Sequence, residues 1–206
     1  EFDCDPVQGM VCAPEGCTGK CAPPEASLSY IGCDYYPTVT PNPVWRGFDF
    51  AVAISNAGND VAKVIITRGE DTIQELEVDV GALEIVPLDW MLELKGNDVD
   101  ACQVAPDPGN SRLAKARAYR IRSDTPVTVY QFSPLQYQLS EADGSPPVNC
   151  PLGVECNAAF GSVDCLSYSN DASLLLPATS LSGNYRVLSW PKSGYEAGRG
   201  KEALER

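Results

Sequence analysis

Apolar residues recur at every second position between residues 47 and 88, in short runs separated by turn residues. This two-residue repeat is the period of a β-strand, in which alternate side chains share one face. The connections between the runs are rich in Gly, Asn and Asp, which favour tight reversals of the chain. The pattern predicts four strands, at 48–55, 61–67, 72–80 and 83–88.

Connections of two to five residues join these four runs. Such short loops favour antiparallel pairing of neighbours, because parallel strands need much longer crossovers. We therefore expect an antiparallel meander. Alternation resumes at Ala116, and the turn residues Ser123–Pro126 predict a second hairpin. Further short runs predict strands at 28–33, 174–176 and 184–190.

These elements predict an all-β chain, with an antiparallel β-sandwich-like domain after a small disulfide-rich N-terminal segment. Residues 1–25 are rich in Cys, Gly and Pro and too poor in large apolar residues to build their own core. We place the β-sandwich-like domain at 26–192 and a polar tail at 193–206. The long polar stretch 139–172 contains three cysteines, and we expect it either to be held in place by disulfides or to be functional.

The N-terminal segment contains four cysteines, spaced eight, five and four residues apart, and the chain has no histidine. Zinc sites need two close pairs of ligands, so this spacing favours disulfides. We expect a self-contained knot with first-to-third and second-to-fourth bridges, Cys4–Cys17 and Cys12–Cys21. Because the cytosol keeps thiols reduced, the cysteine content predicts a secreted or cell-surface protein.

Five further cysteines lie in the rest of the chain: Cys33, Cys102, Cys150, Cys156 and Cys165. We expect two of the last three to close a local loop, and Cys33 or Cys102 to reach a distant partner. Because nine cysteines cannot all pair within one chain, at least one is free, is joined to another molecule, or has lost its partner to truncation.

The chain has 28 acidic and 15 basic residues, which gives a net charge of −13. Nucleic acids and anionic membranes attract basic surfaces, so neither is an expected partner. No apolar run approaches the ~18 residues of a membrane-spanning helix, so no span is expected.

Without histidine there is no Ser-His or Cys-His dyad, and we predict that the protein is not an enzyme. A polysaccharide hydrolase with paired carboxylates is the alternative.

Two groups of residues are candidate binding sites. Five of the fifteen basic residues lie between 112 and 122, and Arg117, Arg120 and Arg122 are candidate contacts to an anion or a sulfated glycan. Alternatively, these arginines lie on a solvated strand face and meet carboxylates. Asp98 and Asp100 are candidate calcium ligands, because hard oxygens suit this ion. No other cofactor is predicted.

Aromatic residues offer a further choice between binding and packing. They are candidates for a platform on which sugar rings stack, although aromatic residues in a sandwich are more often part of the core. The residues concerned are Tyr35, Tyr36, Trp45, Trp90 and Trp190.

Four blocks of sequence together resemble a known family. They are SYIGCDYY at 29–36, FDFAVAISNAGNDVAKVIITRG at 48–69, AYRIRSDTPVTVYQFSPL at 118–135 and NDASLLLPATSLSGNYRVLSWP at 170–191. The chain resembles the N-terminal domain of IgGFc-binding proteins, of the bacterial type in which a Cys-rich motif precedes the domain. The resemblance implies an extracellular, non-enzymatic β-rich module linked with adhesion or matrix, and it brings no catalytic residues.

We therefore expect a structural or adhesive module that makes surface contacts with protein or glycan at the cell surface or in a matrix. The alternative within this class is a self-assembling filament or matrix subunit, in which an open sheet edge accepts a strand from a neighbour.

Overall fold

The computed structural model describes residues 3–22, 29–42, 44–96, 98, 112–147, 150, 164–167 and 170–184. Antiparallel strands dominate these residues, which confirms the predicted all-β fold class. The helical elements described are α1 (Leu92–Lys95) and the 3-10 turns Pro6–Gln8 and Ala178–Ser180. The described strands are β1 (Val11–Ala13), β2 (Gly16–Thr18), β3 (Gly32–Tyr35), β4 (Phe50–Ser55), β5 (Ala62–Arg68), β6 (Asp71–Val78), β7 (Leu83–Leu88), β8 (Tyr119–Ser133), β9 (Gln138–Leu139), β10 (Cys165–Leu166) and β11 (Asp171–Leu174).

Strand β8 is 15 residues long and organises the domain, because it belongs to two sheets. Its first half pairs with β5 on one side and β3 on the other, which with β6 gives a first sheet in the order β6-β5-β8-β3. Its second half pairs with β4 and β11, which with β7 gives a second sheet in the order β7-β4-β8-β11. The sheets curl around one core as a half-barrel.

The predicted second hairpin is wrong, because β8 continues through Ser123–Pro126. Odd-numbered side chains from Tyr119 to Gln131 are buried without interruption, so the two-residue period extends across the predicted turn. Pairing with β5 ends at Ser123 and pairing with β4 begins at Thr128. The missing N–H of Pro126 therefore falls where the strand passes from one sheet to the other, and proline is tolerated there.

The predicted meander is also wrong, although its four strands exist at nearly the predicted positions. The β5–β6 hairpin forms as expected, but β4 pairs with β7 and β8 rather than with β5. Strand β8 lies between β4 and β5. A short loop permits neighbours to pair but does not require it, and β8 is long enough to supply a partner for each of them.

The core fills the space between the two sheets and consists of large side chains with almost no solvent exposure. Burying each of these side chains contributes about 1.5–3 kcal/mol. Its members include Tyr35, Phe50, Val52, Ile54, Val64, Ile66, Tyr119, Ile121 and Val129.

The Cys-rich segment, residues 3–22, is not the predicted self-contained knot. Cys4 is bonded to Cys17 as expected, but Cys21 is bonded to Cys33 of β3 and not to Cys12. The hairpin of β1 and β2 sets Cys12 opposite Cys17, whereas Cys21 is buried with its Sγ 3.3 Å from the Ser123 carbonyl oxygen. A segment without its own core gains apolar burial by docking on a sheet, and the disulfide joins it there.

The expectation that Cys33 or Cys102 reaches a distant partner does not hold for Cys33, because its partner Cys21 is 12 residues away. The expected local loop near the C-terminal end is confirmed, since Cys150 is bonded to Cys165. This bridge packs with Val44 and Phe48 in a second small apolar cluster. Three other predictions lie outside the described residues. They concern the partner of Cys102, the partner of Cys156, and the strand beyond Asn184.

Candidate functional site

A groove of about 600 Å³ lies on the outer face of the first sheet. The even-numbered residues of β8 point outward here, which brings arginines into the groove. We call it the arginine groove. It is lined by Tyr36, Thr67, Gly69, Glu70, Thr72, Ala114, Ala116, Arg117, Ala118, Arg120 and Arg122.

Arg120 is held in the groove by two kinds of contact. Its Nε and Nη2 donate to the two carboxylate oxygens of Asp34 at 2.9 and 2.8 Å, which is bidentate geometry. Its guanidinium lies 5.6 Å from the centre of the Tyr36 ring, within the range of a cation–π contact. The hydrogen bonds to Asp34 raise the pKa of Arg120 above its ordinary value, although partial burial opposes them.

The Cys-rich segment forms one side of this arrangement. Asp5 Oδ2 lies 3.2 Å from Arg122 Nη1 and 3.8 Å from Arg120 Nη2. The other oxygen of Asp5 accepts a hydrogen bond from the backbone N–H of Val7 and so caps the 3-10 turn. One carboxylate therefore both shapes the segment and neutralises charge beside the groove.

The opposite end of the groove is built from small residues. Gly69, in the β5–β6 turn, has a φ of 60°, and Ala116 has a φ of 54°, which is uncommon for a residue with a side chain. A Cβ added at Gly69 would lie 3.3 Å from the Ala116 Cβ, so the two segments already approach closely. With Ala114 and Ala118, they contribute small apolar side chains to the groove lining.

Of the predicted contacts, Arg117, Arg120 and Arg122 do come together, because all three line the same groove. Each also meets a carboxylate, as the alternative interpretation expected: Asp34 for Arg120, Asp5 for Arg122, and Glu93 for Arg117 at 3.2 Å. Contact with an external anion or glycan remains a prediction. The sequence did not identify the acidic partners, because Asp5, Asp34 and Glu93 are far from the arginines along the chain.

The predicted aromatic platform does not assemble among the described residues. Tyr36 alone of the candidates lines the arginine groove, and its side chain remains 44% exposed. Tyr35 is fully buried and donates a hydrogen bond to the Val127 carbonyl. Trp45 packs edge-on against Phe48, and Trp90 Nε1 donates to the Phe48 carbonyl, so both serve packing. Trp190 lies outside the described residues.

The calcium prediction rests on two residues, of which Asp100 lies outside the described residues. Asp98 meets two cations, with Lys95 Nζ and Arg46 Nε each 2.7 Å from its carboxylate. Burial would raise the pKa of Asp98, but the hydrogen bonds from Lys95 and Arg46 outweigh it and hold the pKa below its usual value. A calcium ion would have to displace both cations. Within the part of the chain that the structure describes, no three His, Cys, Asp or Glu side chains are grouped for a metal.

Comparison with known proteins gives no relative from which a site could be transferred. No family model matches the chain, and neither a curated protein nor a solved structure matches it. The resemblance to the N-terminal domain of IgGFc-binding proteins stays a prediction.

No helix among the described residues has the length and apolar character needed to cross a bilayer. The three disulfides among the described residues indicate folding in an oxidising compartment.

Proposed function

We propose that this chain is a secreted, non-catalytic adhesive module that binds glycan through the arginine groove. The observation that carries the proposal is the geometry of Tyr36, Arg120 and Asp34. An exposed aromatic ring stands beside a guanidinium that a bidentate carboxylate holds in place. Sugar rings present C–H faces that pack on aromatic rings, and their hydroxyls bond to planar charged groups, so a prearranged cluster of this kind suits a saccharide.

The size of the groove supports the same proposal. At about 600 Å³ it is within the range of ~300–1,000 Å³ for small-molecule sites. The groove is open rather than enclosed, which suits one stretch of a longer chain. Strand β8 positions Arg120 and Arg122, and a disulfide-linked segment positions Asp5, so little conformational freedom is lost on binding.

The two alternatives receive less support from the described residues. Strand addition needs an accessible edge, and two of the four edge strands oppose it: β6 carries Asp71, Glu75 and Glu77, and β7 contains Pro87. A glycoside hydrolase needs two carboxyl groups that face each other across the substrate. At the arginine groove, Asp5 and Asp34 are instead bonded to arginines.

A glycan array followed by titration of the bound glycans tests the proposal. We expect the wild-type chain to bind, and Tyr36→Ala to weaken binding about tenfold or more, because the variant removes the stacking surface. Tyr137→Ala is the matched control, since Tyr137 is 50% exposed but does not line the groove. The bound glycan should keep its length on prolonged incubation. Shortened products would support a hydrolase, and equal losses in both variants would contradict this site.

A further inference from the structure

The arginine groove contains three arginines, and yet it is not a strongly basic surface. Arg120 uses two donors on Asp34, Arg122 uses Nη1 on Asp5, and Arg117 uses Nη2 on Glu93. Glu70 adds a further carboxylate to the lining. Each positive charge in the groove is therefore balanced by a negative one of the same chain.

We propose that the groove takes a neutral, hydroxyl-rich saccharide and discriminates against sulfated or uronic acid-containing ones. This inference rests on the proposed glycan-binding function. A sulfate would have to displace Asp5, Asp34 or Glu93 from an arginine, and it would approach a chain whose net charge is −13. The ion pairs that hold the arginines in place are the same contacts that cancel their attraction for an anion.

A neutral sugar meets no such opposition. Its hydroxyl groups donate and accept, and the groove offers both roles side by side: carboxylate oxygens accept, and guanidinium N–H groups donate. The hydroxyls of Thr67 and Thr72, also in the lining, add further donors and acceptors.

Asp5 is the residue whose removal should change this preference. Its Oδ2 faces Arg122 and Arg120, whereas its Oδ1 caps the 3-10 turn. Asp5→Asn removes the negative charge but retains an oxygen that can accept the Val7 hydrogen bond. The variant should therefore stay folded and leave Arg122 with an uncompensated charge.

The test compares two sets of probes, neutral oligosaccharides such as cellopentaose and chitotetraose, and sulfated ones such as chondroitin sulfate hexasaccharide. We expect wild type to bind a neutral probe with less than about twofold change in affinity between about 20 and 500 mM NaCl, because salt screens only charged contacts. Asp5→Asn should gain about fivefold or more in affinity for the sulfated probe at low salt and lose that gain at high salt. Glu15→Asn, an acidic position outside the groove lining, is the control and should gain nothing.

The outcomes separate the two proposals. Wild type that prefers the sulfated probe, with affinity falling steeply as salt rises, would overturn the preference for neutral sugars and leave glycan binding standing. Binding of neither set would overturn glycan binding and the preference with it. Neutral binding without any gain in Asp5→Asn would show that Asp5 does not control the choice, and would overturn the charge-balance explanation.

Discussion

Asp5 and Arg122 are separated by 117 positions in the chain, yet their side chains meet at 3.2 Å. This ion pair joins the Cys-rich segment to the outward face of β8. Both side chains are mostly shielded from water, with 23% and 20% of their surface exposed. The contact therefore links the two parts of the molecule that differ most in composition.

We expect Asp5→Ala to lower the free energy of unfolding by about 1–2 kcal/mol, because it removes both the cap of the 3-10 turn and the ion pair. Asp5→Asn should cost less than half as much, since it retains the capping oxygen. Urea unfolding monitored by circular dichroism measures both. Equal losses in the two variants would show that the cap contributes nothing.

The Cys21–Cys33 disulfide should hold the Cys-rich segment on the sheet. Replacing both cysteines by alanine is expected to cost about 2–4 kcal/mol and to raise hydrogen exchange at residues 6–20. The matched control is Cys150→Ala with Cys165→Ala, which removes a bridge of similar span elsewhere. The control should destabilise the domain but leave exchange at residues 6–20 unchanged. Exchange that rises equally in both variants would contradict a local role for Cys21–Cys33.

Alkaline unfolding should report on Tyr35. Burial raises the pKa of Tyr35 above its ordinary value of about 10, because the charged phenolate is disfavoured in the core. Above about pH 10 the unfolded chain loses this proton first, so the free energy of unfolding falls with pH, by at most about 1.4 kcal/mol per pH unit for this group. We expect Tyr35→Phe to be less stable at pH 7 but to show a shallower decline between about pH 10 and 11. Tyr137→Phe, at an exposed position, should leave the decline unchanged.

Lys95 is a buried cation whose ammonium group meets Asp98 and lies 5.4 Å from the centre of the Trp90 ring. Asp98→Ala would leave this charge buried without a carboxylate, and we expect a loss of about 3–5 kcal/mol. Lys95→Met should cost less, because Asp98 keeps Arg46 and the unbranched apolar side chain of methionine can still pack where the lysine stem lies. A double-mutant cycle by urea unfolding measures the coupling. A larger loss for Lys95→Met than for Asp98→Ala would contradict this explanation.

Several elements could be predicted because their information is local. The two-residue period correctly identified β4 to β7 and the buried face of β8, on which Tyr119 and Ile121 lie opposite Arg120 and Arg122. It failed at Ser123–Pro126, where turn-forming residues mark a crossing between sheets rather than a reversal. The arginines of the groove were found from their clustering in sequence. Their partners Asp5 and Asp34 were not, since no local pattern relates residues so far apart.

By itself, the sequence determined where β4 to β7 lie and which side of β8 is buried, because alternation of apolar and polar side chains acts over a few residues. Tertiary structure alone decided that β8 separates β4 from β5, that Cys21 pairs with Cys33, and that Asp5 reaches Arg122. The entropy of closing a loop rises only slowly with its length, so pairing with a distant strand costs little more than pairing with a neighbour. Packing of the complete core then selects between these arrangements, and the groove is a consequence of that selection.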